Sequence, residues 1–331
     1  MKRFTIPALL VFCFSAFFAM NAAAKTTLTY SNFFPPTHIQ SKLAEQWIQE
    51  VEKRTNGEIS INYFPAGTLT KAPQTYDGVV QGIADIGMTV LAYSRGRFPV
   101  AAAIDLPMGY SSGVQATNIA NGVLEKFNPE EFNDTELMFL HAHGPGLLHT
   151  RDKEVVTLDD LNGLKIRGTG TSGKVVAALG GSPVGKAMGE TYQMLQKGVV
   201  DGSLHPVETN KGWKVGEVVN YMTQNFSTAY TTTFAVFMNK NKWNSLTAKQ
   251  QETIRAINAE FALKHGQAWD ESDEEGMAFF KEKGGKVIPQ PEEQAKLWAE
   301  KAAPVIDEYI QSVSEKGIDG KAVVDYIKAN L

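Results

Sequence analysis

Apolar and polar positions alternate along the chain with two periods, and the periods trade places every ten to fifteen residues. Leu28 and Tyr30 start a strand that Pro35 and Pro36 stop. Ile39, Leu43, Trp47 and Val51 then recur every fourth residue up to Gly57, the mark of an amphipathic helix, with Thr37 and Gln40 as its capping box. Ile59, Ile61 and Tyr63 alternate as a second strand, 73–82 reads as a helix and 84–88 as a third strand. Strand and helix taking turns predict a mostly parallel sheet.

A second series follows. A helix over 114–127 precedes a strand over 137–141, and the loop 141–146, with its glycines and proline, reads as a crossing between two halves. Then come a strand over 164–167, a helix over 172–179, a strand near Pro183, a helix over 190–197 and a strand near Ser203. The Thr-, Phe- and Val-rich stretch 230–239 is long enough to return to the first sheet. From Thr247, which forms a capping box with Gln250, helical periodicity continues to about Lys283, interrupted only by Gly266 and Gly276. One long helix lying across both halves fits this run, and so do two helices kinked at a glycine. The prediction is an α/β protein of two lobes joined by more than one crossing, with 25–147 plus 236–275 as lobe I and 148–235 plus 276–331 as lobe II.

Residues 1–24 stand apart. Lys2 and Arg3 precede an apolar run from Ile6 to Met20, and Ala22 to Ala24 supply a small-residue cleavage site, so this segment reads as a secretory signal peptide. No later stretch reaches 18 uninterrupted apolar residues, so behind a signal peptide the mature protein is expected to be soluble outside the cytoplasmic membrane, in the periplasm. The single cysteine, Cys13, leaves with the signal peptide, and with it any disulfide, thiolate ligand or cysteine nucleophile. Removing Lys2 and Arg3 leaves 30 of the 32 Lys and Arg against 36 Asp and Glu, a net charge near −6 that argues against nucleic acid.

The chemistry concentrates on Arg167. It ends a short strand in which Leu164 and Ile166 alternate with Lys165, and Gly168 to Gly173 then break the chain. A planar guanidinium at the carboxyl end of a strand is placed to grip a carboxylate through two parallel hydrogen bonds. A surface ion pair with Asp159 or Asp160 fits the same residues. The segment Gly168 to Lys174 also matches a glycine-rich nucleotide loop, yet Val175 stands where a P-loop needs a hydroxyl for magnesium, and Glu190, the acidic residue a dinucleotide fold would require, falls in a helix. His141, His143 and His149 cluster near one loop and read as hydrogen-bonded or pocket-lining groups, with zinc chelation by His141 and His143 as the rival. No serine sits in a GxSxG elbow. The ligand-binding set expected from these patterns is Arg167, His205, Trp213, Phe33, Phe34, Tyr93, His143, Thr89 and Glu208, with no catalytic residue, no metal and no cofactor. Core packing is the default for each of the aromatics, and a turn before Pro206 for His205.

Five stretches together resemble the solute-binding proteins of tripartite ATP-independent periplasmic (TRAP) transporters: Tyr63-Phe-Pro-Ala-Gly67, Gln81-Gly-Ile-Ala-Asp-Ile-Gly87, Leu161-Asn-Gly-Leu-Lys-Ile-Arg167, Gly189-Glu-Thr-Tyr-Gln-Met-Leu-Gln-Lys-Gly-Val-Val-Asp-Gly202 and Ala302-Ala-Pro-Val305. The resemblance implies a two-lobed periplasmic-binding-protein-like fold with hinge crossings and a long helix spanning both lobes. It implies a non-enzymatic, monomeric carrier of a small-molecule carboxylate that delivers its cargo to TRAP membrane permease subunits, with Arg167 pairing with the carboxylate. Many members carry an acidic-Asn-Pro sequence where this chain reads Ser203-Leu-His205-Pro206, so His205 stands in the Asn position. Arg95, Arg97, Arg151 and Lys211 are the candidates for a second cation. The favoured ligand is a monocarboxylate with an apolar or aromatic body, a 2-oxo or amino acid; a C4-dicarboxylate or sugar acid is the alternative, and a periplasmic sensor or a metal-dependent enzyme using His141 and His143 is the alternative class.

Overall fold

The computed structural model describes residues 25–331, so the expected signal peptide lies outside the described residues. Strand β1 (Thr26–Asn32), helix α1 (Ile39–Arg54), strand β2 (Ile59–Phe64), helix α2 (Thr75–Val80) and strand β3 (Ile86–Val90) form the parallel β–α–β units, with β1 paired to both β2 and β3. Helix α3 (Gly113–Phe127) leads into β4 (Thr135–Ala142). The chain then crosses to β5 (Gly146–Thr150), β6 (Lys165–Arg167), α4 (Thr171–Ala178), β7 (Ser182–Val184), α5 (Thr191–Gln196), β8 (Gly202–Pro206), α6 (Thr209–Gly212) and β9 (Tyr221–Gln224). Strand β10 (Thr233–Asn239) returns, and is followed by α7 (Lys240–Ser245), α8 (Ala248–Glu282), β11 (Lys286–Pro289), α9 (Glu292–Ala302), α10 (Pro304–Ser314) and α11 (Gly320–Ala329).

The strands make two sheets, ordered β2-β1-β3-β10-β4 in lobe I and β11-β9-β5-β8-β6-β7 in lobe II. Strand β10 runs antiparallel to both its neighbours, β3 and β4. Its first residue, Thr233, lies three residues ahead of the lobe boundary drawn from the sequence. The C-terminal helices touch both lobes, α10 lying against α4 and α11 against α3. Strands β5, β9 and β11 carry too few alternating residues to stand out in the sequence, and sheet pairing alone defines them.

Helix α1 buries Leu43, Trp47 and Val51, each contributing roughly 2 kcal/mol of apolar burial. Its start differs from the expected capping box. His38, not Thr37, is the N-cap: it adopts extended backbone angles and its Nδ1 accepts the Gln40 N–H at 3.2 Å. Thr37 is exposed and takes no part.

Helix α8 is one uninterrupted element of 35 residues, about 52 Å long at 1.5 Å per residue, started by the expected Thr247–Gln250 capping box. The two glycines that could have kinked it are contact points instead. Gly266 meets α3, where a Cβ would stand 3.1 Å from Thr117 Oγ1, and Gly276 meets the end of lobe II, where a Cβ would stand 2.3 Å from the Val207 carbonyl oxygen. Glycine therefore lets the backbone of one helix approach both lobes. Asp270 accepts from the Gly113 and Val114 N–H groups, donors that the first turn of α3 leaves without an intrahelical partner, and Asp273 Oδ1 accepts from the Glu208 N–H at 2.7 Å.

The two strand crossings run side by side. Gly146 N donates to the Tyr230 carbonyl at 2.8 Å, and Thr231 Oγ1 donates to the His143 carbonyl at 2.6 Å. A Cβ on Gly146 would fall 2.2 Å from the Tyr230 ring, so only glycine fits there.

Candidate ligand-binding site

A cavity lies where the carboxyl ends of the strands of both sheets face each other. Lobe I lines it with Phe33, Phe34, Val90, Tyr93, Phe234 and Trp269; lobe II with Arg167, Thr169, Met188, His205, Pro206, Glu208, Thr209 and Trp213; the crossings with His143, Tyr230 and Thr232. Eight of the nine residues expected from the sequence are thus brought to one cavity. Thr89 is not: its hydroxyl donates to the Ala72 carbonyl at 2.7 Å, and the next residue, Val90, lines the cavity, because successive strand side chains point to opposite faces. Val90, Thr169, Met188, Thr209, Tyr230, Thr232 and Trp269 were not singled out. Trp269 lies on a helix whose periodicity reads as core, and its 1 % exposure fits that reading equally well.

Arg167 is the last residue of β6, with Ile166 buried in the core beneath it and Ser203 of β8 beside it in register. It is 5 % exposed, and its Nε donates to the Lys186 carbonyl at 2.9 Å. Neither aspartate that could have held it on the surface does so: Asp160 accepts from the Val156 and Thr157 N–H groups and lies 3.9 Å from Lys153, and Asp159 is exposed and forms no ion pair among the described residues. Among the described residues Arg167 enters no ion pair, so its outer N–H groups face the cavity with their charge uncompensated. Burying a cation in that state is costly until an anion joins it.

Two histidines flank the guanidinium. Burial, with the Arg167 charge nearby, pushes His143 down to about 4, and burial with His149 and Arg167 pushes His205 well below the ordinary histidine range. Both are neutral at physiological pH. The lobes also touch directly around the cavity. His38 accepts at Nδ1, so its Nε2 carries the proton and donates to Glu208 Oε2 at 3.0 Å, while Thr209 Oγ1 donates to Glu208 Oε1. Tyr93 Oη accepts the Met188 N–H at 2.9 Å. Trp213, half-buried, lies with its ring 6.1 Å from Phe33 and 5.7 Å from Phe34, centroid to centroid.

The other candidate cations do not reach this cavity. Arg97 pairs with Asp77 and Asp134, Arg151 with Asp152, and Lys211 with Glu275, while Arg95 lines a separate groove beside α10. His141 accepts from Trp269 Nε1 and stacks on His265, and no group of three or more His, Cys, Asp or Glu that could hold a metal occurs among the described residues. No helix among them is long and apolar enough to cross a membrane.

Comparison with known proteins adds the lineage. A TRAP periplasmic solute-binding protein from Desulfovibrio salexigens is 33 % identical, superimposes with a TM-score of 0.81, and is matched over 93 % of this chain and 96 % of its own. A marine metagenome TRAP solute-binding protein specific for aromatic acids, solved with metahydroxyphenylacetate, is 29 % identical with a TM-score of 0.88 over 92 % of this chain and 98 % of its own. A monocarboxylate 2-oxoacid-binding periplasmic protein of Nostoc sp. is 28 % identical over 76 % of this chain and 70 % of its own. Residues 30–312 match the model of the bacterial extracellular solute-binding proteins of family 7, and the chain belongs to that family, the periplasmic solute-binding components of TRAP transporters.

Proposed function

We propose that this protein captures an organic acid with one carboxylate and an aromatic or apolar body, closes on it, and presents it to TRAP membrane permease subunits. The observation that carries the reading is Arg167: buried, oriented through Nε, and without an ion-pair partner among the described residues, in a cavity that Phe33, Phe34, Tyr93, Trp213, Phe234 and Trp269 also line. A carboxylate would take its two outer N–H groups in a bidentate pair, and Phe33, Phe34, Trp213 and Phe234 would enclose the body. Ligand-dependent closure follows, because the anion stabilises only the state in which the guanidinium is buried.

The number of carboxylates follows from the charge count at the cavity wall. Arg167 is its one cationic residue among the described residues, so the second carboxylate of a C4-dicarboxylate would go unpaired. A 2-amino acid would need an anion, and both oxygens of Glu208 are already engaged by His38 and Thr209. The ligands of two relatives, an aromatic acid for the metagenome protein and 2-oxoacids for the Nostoc protein, support the same class.

The test is a thermal-shift screen of the mature protein, stripped of ligand by unfolding and refolding, against aliphatic, dicarboxylic, sugar and aromatic acids. A ligand at 100 times its Kd stabilises by about 2.7 kcal/mol. Aromatic or 2-oxo monocarboxylates should raise the melting temperature, and Arg167→Ala should remove the shift. A shift confined to dicarboxylates, or one that survives Arg167→Ala, would sink the reading.

A further inference from the structure

Two imidazoles lie stacked in lobe II, His149 on β5 and His205 on β8, with ring centroids 3.9 Å apart and planes 19° from parallel. Their hydrogen bonding is unequal. His149 Nδ1 lies 3.2 Å from the Leu147 carbonyl and its Nε2 lies 3.1 Å from Asn210 Nδ2, an amide donor, so its proton sits on Nδ1 and both nitrogens are satisfied. His205 is 1 % exposed and, among the described residues, finds no partner at either nitrogen, although it borders the cavity. A buried polar group without a partner is costly, and nothing in the protein sets its tautomer.

Position says what the missing partner is. Arg167 pairs in parallel register with Ser203, so the side chains of Arg167, Ser203 and His205 share one face of the sheet, with His205 two residues, about 6.6 Å, further along β8. A guanidinium reaching forward from β6 and an imidazole on β8 therefore meet at the same end of the ligand. With the carboxylate held by the outer N–H groups of Arg167, the atom next to His205 is one bonded to the adjoining carbon.

We propose that His205 reads an oxygen on the carbon next to the carboxylate, and that the protein selects aromatic 2-hydroxy or 2-oxo acids over acids lacking that oxygen. Neutral imidazole suits both: as Nε2–H or Nδ1–H it donates to an oxo group, and as the other tautomer it accepts from a hydroxyl. This rests on the aromatic-monocarboxylate reading above and goes further by fixing a second polar contact. A site built around a ligand oxygen discriminates strongly against the analogue without it, since the protein group is then left buried and unpaired.

Mandelate and phenylacetate differ by that one hydroxyl. Isothermal titration of the ligand-stripped protein should give mandelate at least a tenfold lower Kd, with phenylpyruvate also ahead of phenylacetate. His205→Leu should bring mandelate and phenylacetate to near equality, and His205→Asn, which keeps a donor and an acceptor, should restore part of the preference; melting temperatures without ligand identify any variant that fails to fold, and the wild-type ratio decides by itself if both do. Equal wild-type affinities for mandelate and phenylacetate, both lost in Arg167→Ala, would overturn the role of His205 while leaving the carboxylate reading intact. A preference for 3-hydroxyphenylacetate over mandelate would overturn the placement beside the carboxylate. Binding of none of these acids would overturn both readings together.

Discussion

The two lobes furnish the cavity with different materials. Lobe I contributes Phe33, Phe34, Val90, Tyr93, Phe234 and Trp269, while lobe II brings the polar Arg167, Thr169, His205, Glu208 and Thr209 beside Met188 and Pro206, with Trp213 as its one large apolar ring. The difference teaches how such a cleft can separate two tasks. On the proposed reading, charge recognition falls to lobe II, where strand ends hold the guanidinium and imidazole in fixed register, and apolar enclosure falls to lobe I. An acid would engage lobe II by its carboxylate first, and lobe I would then add the area that discriminates among bodies.

In their histidines the lobes are alike instead: each holds one stacked pair, His141–His265 in lobe I and His149–His205 in lobe II. Acid should therefore strike both. Burial pushes His143 down to about 4, His149 and His265 down to about 3, and His141 and His205 well below the usual range. The unfolded chain protonates these five below about pH 6.5 and the folded chain does not, so the stability they permit is present above that pH and lost as pH falls. Asp105, raised by burial to about 7, and Asp273, raised by burial to about 8, act in the opposite sense: they stabilise the fold at acid pH, and that contribution is lost as pH rises toward those values. The five histidines outnumber the two carboxyls, so the net effect is a stability that falls as pH drops below about 6.5. Denaturant midpoints measured at pH 7, 6 and 5 should fall steeply and in a single transition. Two separated transitions would show that one lobe carries the burden, and a flat profile would show that the histidines are not buried neutral.

Trp213 is the exception to the division of materials, a ring on lobe II that leans across onto Phe33 and Phe34. If it completes the apolar enclosure, Trp213→Ala should raise the Kd for aromatic acids about tenfold, or ~1.4 kcal/mol, with little change in the melting temperature of the free protein, because the ring is only half-buried. Equal losses for aromatic and short aliphatic acids would mean that the tryptophan serves closure rather than recognition of the ligand body.

Much of this was readable in the sequence wherever a local rule had one answer. Leu43, Trp47 and Val51 mark α1, Ile166 and Arg167 mark a strand end, and the Thr247–Gln250 box starts α8. Where two rules competed, the sequence stayed ambiguous. Gly266 and Gly276 are kink residues by propensity, and only the neighbouring backbones make them contact points. Thr37 is the cap the local rule predicts for α1, but His38 takes the place, because its other nitrogen finds Glu208, 170 positions away, a partner no local window contains. Thr89 and Val90 differ by one residue on a fully buried strand, which gives no polar face from which to tell cavity side from core side. Trp269 and Tyr230 reach the cavity through tertiary packing that no local window contains.

The direct contact between lobes gives the smallest expected effect, and the finest test of where the charge resides. Glu208 stands on lobe II with its N–H fixed by Asp273 of α8 and its carboxylate shared by Thr209 and by His38 of lobe I. If the contact works as a hydrogen bond that positions the lobes, the Glu208→Gln side chain still offers an oxygen to His38 Nε2–H, and ligand affinity should change by no more than about threefold, under ~1 kcal/mol. If the contact instead depends on the negative charge of Glu208, the neutral amide would be a much weaker acceptor for the buried Nε2–H, and affinity should fall by well over about tenfold. Titrating one aromatic acid into Glu208→Gln separates the two: a small change leaves Arg167 as the one charge on which binding depends, whereas a large loss would make the contact with lobe I a charged one and undo the division between a polar and an apolar lobe.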